Sequence, residues 1–157
     1  MILPITQQRP TRGLPAERRH WGGPVVGGFY LSMGGVHLGL VAADPQTYRH
    51  FADAGLFAFV RDGWQDVFMV HPAVYGLLLA VGETVLGILL LVGGRAATVG
   101  WGGAVAFHLL LMLFGFGIWT WCLPALAVLI VLARRDATTV WGTRRAPTSR
   151  PAPKELL

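Results

Sequence analysis

The sequence predicts an all-α fold: a polytopic membrane bundle of four helices, with an amphipathic helix lying in the interface in the first external loop. Three observations predict it. Of 157 residues, 54% are apolar and 13% are charged, against about 25% charged in soluble domains. The apolar residues gather into four runs near the length needed to cross roughly 30 Å of hydrocarbon. The Lys and Arg residues fall almost entirely on one side of those runs.

Residues 1–20 carry Pro4, Pro10, Pro15 and four arginines, a composition that buries too little apolar surface to fold alone. They are predicted to form a disordered, basic cytoplasmic arm. The first span, 21–43, contains neither a carboxylate nor a Lys or Arg, and Pro24 suits a first turn, where no hydrogen-bond donor is lost. A competing reading is a cleaved signal peptide, because Val41-Ala42-Ala43 resembles a cleavage site and Arg18-Arg19 precedes the run. The run exceeds the usual 7 to 15 residues of such a segment, and His37 with its neighbouring glycines suits a packed helix.

The loop 44–71 holds Tyr48, Phe51, Ala52, Gly55, Leu56 and Phe59 at three-and-four spacing, with Arg49, Asp53 and Asp62 falling elsewhere. That pattern predicts the interfacial helix. The remaining spans are 72–93, 96–114 and 118–133. Gly115 and Gly117 are the only break between the last two, so the hairpin there must be tight. Pro124 is placed to kink the fourth. Residues 134–157 form a basic, proline-bearing tail.

Arg9, Arg12, Arg18 and Arg19, then Arg95 between the second and third spans, then Arg134, Arg135, Arg144, Arg145, Arg150 and Lys154 fall on one side of a four-span topology. Only Arg49 and Arg61 fall on the other, among Asp44, Asp53, Asp62 and Asp66. The positive-inside rule then puts both ends in the cytoplasm, in a cytoplasmic membrane, with Arg95 as a topology signal. Trp119 and Trp121 are placed to anchor the outer rim. The net charge of +5 belongs to membrane flanks instead of a nucleic-acid surface. A single cysteine, Cys122, excludes an internal disulfide and any zinc site built on several cysteines.

Three ionisable residues lie inside spans: His37, Glu83 and His108. A charge at a helix centre costs roughly 2.5 to 3.5 kcal/mol on insertion scales, which favours a partner for it. Glu83 lies twelve residues before Arg95 and His108 thirteen after it, so both sit roughly 18 to 20 Å above the inner face. His37, seven residues before Asp44, reaches about the same depth from the outer side. Glu83 shares a stripe with Gly76, Ala80 and Gly87, and His37 shares one with Gly27, Tyr30 and Gly34. Small residues of this kind mark helix contacts in membranes. Glu83 and His108 are therefore expected to touch, with His37 close by and Tyr30 on the same face.

Two readings of this layer stay open. One is a site for Glu83, His37, His108 and Tyr30 that binds a head group, exchanges a proton or hydrogen-bonds a ligand such as a quinone carbonyl. The other is interhelical glue, which needs no ligand. No metal ligands pair at i, i+3 or i+4 on one helix, and no nucleophile elbow, phosphate loop or dinucleotide fingerprint occurs.

Gly34-Gly35-Val36-His37-Leu38, then Pro45 and Tyr48, and Gly82-Glu83 with Gly87 and Leu91 ahead of Arg95-Ala96-Ala97 together resemble the DoxX-like family of small four-helix membrane proteins. The resemblance covers roughly 29–133. It implies a membrane subunit or anchor of a redox system, linked to quinone or to sulfur transfer and oxidative stress, and an accessory role more than catalysis alone. The positions matching the family are His37, Glu83 and Arg95. Cys122 matches no family motif, which leaves direct sulfur chemistry without a residue. The expected partners are the lipid bilayer, a redox or sulfur-transfer protein and a second copy of the chain. Two alternatives stand beside this reading: a non-catalytic scaffold recruiting partners through the basic termini, and a small proton-coupled carrier acting as an oligomer.

Overall fold

The computed structural model describes residues 21–142, with side chains described through residue 137. The predicted arm 1–20 and the tail beyond residue 142 lie outside the described residues. Five α-helices follow in order: α1 Gly22–Ala43, α2 Ala58–Asp66, α3 Pro72–Val92, α4 Gly94–Leu111 and α5 Phe116–Gly142. Among the described residues there is no strand, and α1, α3, α4 with its short continuation, and α5 are long and apolar enough to cross a membrane. The protein is an all-α, multi-pass membrane bundle.

The spans agree with their predicted bounds to within a residue or two, with one exception. The fourth continues as helix from the predicted end at 133 to Gly142, unbroken through Pro124. Hydropathy marks where lipid ends, whereas a helix continues as long as its backbone bonds are made. Arg134, Arg135 and Asp136 therefore extend α5 instead of opening a tail.

The α1–α3 seam is set by glycines. A Cβ on Gly27 would stand 2.9 Å from the Gly87 carbonyl oxygen, and a Cβ on Gly87 would stand 2.8 Å from that of Gly27. Two turns along, a Cβ on Gly34 would meet Thr84 Oγ1 at 2.6 Å and the Ala80 carbonyl at 2.9 Å. The two backbones therefore touch, as small-residue packing permits where no hydrophobic effect drives helices together. The core beside this seam consists of Tyr30, Leu90, Ala97, Trp101, Ala104 and Leu129.

One end of the bundle carries the start of α1 and the α3–α4 turn. Gly22 lies against Leu132 of α5, and Gly23 lies against the Leu90 carbonyl of α3. The turn is short because Gly93 (φ 80°) and Gly94 (φ 59°) take conformations that a side chain disfavours. The other end carries the loop 44–71 and the α4–α5 turn, and the two are bonded together by Leu56 N–H donating to the Leu113 carbonyl at 2.9 Å.

Gly115 closes the α4–α5 turn at φ 121°, with the Ala54 carbonyl occupying the space a Cβ would take. Both the backbone angle and the close approach require glycine. Gly115→Ala is expected to lower stability by about 1–2 kcal/mol. Denaturation in mixed micelles checks it; a variant as stable as the parent would show that the turn relaxes freely.

The loop contains an amphipathic helix, but later than the sequence pattern placed it. Pro45–Tyr48 forms a 3-10 turn, residues 49–54 continue in turns, and α2 begins only at Ala58. The expected face divides accordingly: Tyr48, Ala52 and Gly55 are buried, whereas Phe51 and Phe59 are exposed. A ladder of rings joins the loop to the bundle. Trp64 stacks on Phe68 with centroids 3.8 Å apart, Phe68 meets Tyr48 and Tyr75, and Phe114 meets Phe51 and Trp64. The loop thus caps the bundle end as a folded unit.

Leu77, Leu78, Val81, Val85, Ile88 and Val92 of α3 are all at least 44% exposed. So continuous an apolar face is out of place in water and matches acyl chains. Contact with the bilayer follows from this face and from its counterparts on the other spans.

Candidate functional site

Four of the sequence-predicted residues are buried or nearly so, but they pair differently from expectation. Glu83 is 3% exposed and His108 is 4% exposed. Glu83 Oε2 lies 3.6 Å from His37 Nε2, while His108 Nδ1 lies 3.2 Å from the Tyr30 hydroxyl and 3.0 Å from the Ala104 carbonyl. The expected Glu83–His108 contact is thus replaced by two pairs, each made with α1. The reason is angular. Rise along the axis fixes depth, but depth does not say which neighbour a helix face meets. Tyr30 and His37 are seven residues apart, which returns to nearly the same face about 10 Å higher. α1 accordingly meets Glu83 of α3 through His37 and His108 of α4 through Tyr30.

The first pair extends into the loop. The Tyr48 hydroxyl lies 2.7 Å from His37 Nδ1 and the two rings stack with centroids 5.7 Å apart. Tyr48 is delivered by local sequence: the Asp44 carboxylate accepts from Gln46 N–H at 2.8 Å and Pro45 takes the first position of the 3-10 turn, the cap-and-proline start that both residue types favour. The Trp64 indole then donates to the Tyr48 carbonyl at 2.9 Å and fixes its backbone. Burial first, and the Glu83 carboxylate second, push the Tyr48 phenol above the ordinary tyrosine value. The hydroxyl therefore keeps its proton and is able to donate to His37 Nδ1. With Nδ1 accepting, the imidazole hydrogen sits on Nε2, turned to Glu83.

The separation of 3.6 Å between His37 Nε2 and Glu83 Oε2 is too long for a good hydrogen bond. Glu83 Oε2 is the one fully buried side-chain oxygen or nitrogen, among the described residues, that has no hydrogen-bond partner. His37 keeps 15% of its side chain accessible, so the Tyr48–His37–Glu83 chain reaches the molecular surface at its middle member. The chain can accept or donate a hydrogen bond at Glu83 and pass a proton toward the loop. Tyr48→Phe removes the hydroxyl and is expected to cost about 1 kcal/mol, read by denaturation in mixed micelles; no loss would mean that the 2.7 Å contact contributes nothing.

The second pair floors a cleft of ≈ 300 Å³ between α1, α4 and α5, where Phe29 and Trp121 face each other with centroids 6.4 Å apart. Trp121 is 57% exposed, whereas Trp119 turns inward and donates to the Met112 carbonyl at 2.8 Å. The expected pair of rim anchors is thus divided between a cleft wall and a helix-end bond.

Sequence reasoning missed two features. Tyr48 appeared there as a loop aromatic; its role was signalled by Asp44-Pro45, which starts a turn and fixes where the third following residue points. Asp136 appeared as part of a tail, yet it accepts from the Trp101 indole at 2.9 Å and ties α5 to α4. Arg95 is exposed in the first turn of α4, beside the glycine turn and at the bundle end where α1 begins. No three His, Cys, Asp or Glu side chains among the described residues come together in a metal-holding arrangement. Among known proteins, no family model, no curated protein and no solved structure matches the chain.

Proposed function

We propose that this protein is a DoxX-like membrane subunit of a redox system, in which Tyr48, His37 and Glu83 hold and protonate the head group of a membrane-dissolved quinone. The observation that carries the reading is the Glu83 carboxyl: 3% exposed, set among apolar helices, with Oε2 lacking any hydrogen bond. An unmatched buried carboxyl oxygen costs about 1–3 kcal/mol or more, and ionisable residues inside membranes concentrate at ligand and proton paths. A quinone supplies two-electron, two-proton chemistry. Glu83 in its acid form donates to a carbonyl oxygen, and as a carboxylate it accepts from a hydroxyl. His37 and Tyr48 then connect that position to the bundle end formed by the loop.

In this reading a redox or sulfur-transfer protein partner supplies the electrons. Both chain ends lie in the cytoplasm in this reading, with Arg95 and the basic flanks on the inner side of the cytoplasmic membrane. Protein purified from native membranes in mild detergent is expected to carry quinone in its lipid extract, and Glu83→Gln is expected to lose most of it. Equal quinone in the two preparations, or none in either, contradicts the reading.

A further inference from the structure

We infer that the cleft between α1, α4 and α5 is a second, lipid-facing binding site, and that it takes a substituted phenol whose hydroxyl donates to His108 Nε2. The inference stands on atoms other than the Glu83 pair and does not rest on the reading above.

The tautomer of His108 follows from its neighbours. Nδ1 lies 3.0 Å from the Ala104 carbonyl, and a carbonyl oxygen only accepts. A bare Nδ1 at that distance would set two lone pairs against each other, so Nδ1 carries the hydrogen and donates. The Tyr30 hydroxyl, 3.4 Å from the same carbonyl, shares that acceptor. Nε2 is then an acceptor, and no hydrogen bond to it is made among the described residues. His108 is 4% exposed and lines the cleft. An unbonded acceptor on a nine-tenths buried side chain that lines an apolar cleft selects a ligand that brings a donor.

The walls select the rest of it. Val26, Phe29, Trp121, Pro124 and Val128 enclose ≈ 300 Å³, and an apolar cavity of about 150 Å³ already accepts benzene. One ring with a short substituent fits, and a fused polycyclic body does not. Phe29 and Trp121, with centroids 6.4 Å apart, offer aromatic edges and faces to that ring. The molecule arrives through the bilayer because the outer members of the cleft, Phe29, Trp121 and Val128, are 42%, 57% and 55% exposed on the lipid side.

The test compares 4-ethylphenol with 4-ethylanisole, its methyl ether, titrated into the full chain in nanodiscs and followed by tryptophan fluorescence. The two probes share ring and chain and differ only in the donor. The phenol is expected to bind about tenfold more tightly, the worth of one buried hydrogen bond, and His108→Phe is expected to abolish that preference. Equal affinities in the parent, a preference for the ether, or a phenol preference that survives His108→Phe overturns the inference. Should His108→Phe fail to fold, the ¹⁵N resonance of His108 Nε2 in the parent decides. It is expected to shift upfield with the phenol and stay fixed with the ether; an unmoved resonance overturns the assignment.

Discussion

Replacing His37 with leucine is expected to lower stability by about 1–3 kcal/mol, the cost of leaving buried polar groups without their partner. Glu83 is 3% exposed and its Oε2 lies 3.6 Å from His37 Nε2. Without the imidazole, the Glu83 carboxyl and the Tyr48 hydroxyl both lose their neighbour inside an apolar surround. Glu83→Leu is expected to cost less, because His37 keeps Tyr48 and a partly accessible ring. The double variant His37→Leu/Glu83→Leu is expected to regain most of the loss, as apolar replacement of both partners of a buried polar contact does. Titration with a denaturing detergent in mixed micelles gives the four values of the cycle. Additive losses would show that the two side chains are not coupled, and the chain running from Tyr48 to Glu83 would fall with that result.

The second large effect belongs to the glycine seam. Gly87→Val is expected to cost about 3 kcal/mol, at the upper end of overpacking penalties, because the first added carbon already meets the Gly27 carbonyl at 2.8 Å and Leu31 Cγ at 2.8 Å. The backbone oxygen cannot swing aside as a side chain would, so α1 must move off α3. That displacement also separates His37 from Glu83, and the variant is expected to lose whatever those two residues bind. Gly82→Val on the same helix is the control: it is exposed and nothing lies within 4 Å of its added carbon. It should change stability by less than about 0.5 kcal/mol. Equal losses for Gly82 and Gly87 would mean that glycine content, and not the seam, governs the bundle.

The four spans were legible because hydrocarbon imposes one rule on every crossing segment, and runs such as Pro72–Val92 obey it residue by residue. The small-residue stripe through Gly27 and Gly34 was legible for a related reason, since backbone contact leaves no room for a Cβ. The partners of Glu83 and His108 were not. Their shared depth follows from counting residues, but their pairing depends on how far each helix is rotated about its axis, and four similar apolar surfaces leave that rotation unspecified.

The loop was legible in composition and not in register. Gly55 donates its N–H to the Ala52 carbonyl in a turn, which interrupts the apparent three-and-four pattern before Phe59. The helix that does form buries Val60 and leans Trp64 on Phe68. Short segments yield to such tertiary contacts, because a helix of nine residues has little stability of its own. Asp136 shows the same limit at the other end. A carboxylate beside two arginines reads as solvated tail, and only the approach of the Trp101 indole makes it a helix-to-helix bond.

Glu83 is expected to hydrogen-bond a ligand at the junction of α1, α3 and the folded loop. Infrared difference spectroscopy of the reconstituted protein, recorded with and without a short-chain quinone, tests it at the atom concerned. A shift in a carboxyl stretching band on addition of the quinone, present in the parent and absent in Glu83→Gln, is the predicted result. Superimposable difference spectra from the parent and Glu83→Gln would contradict the account and leave the Tyr48–His37–Glu83 chain as packing alone.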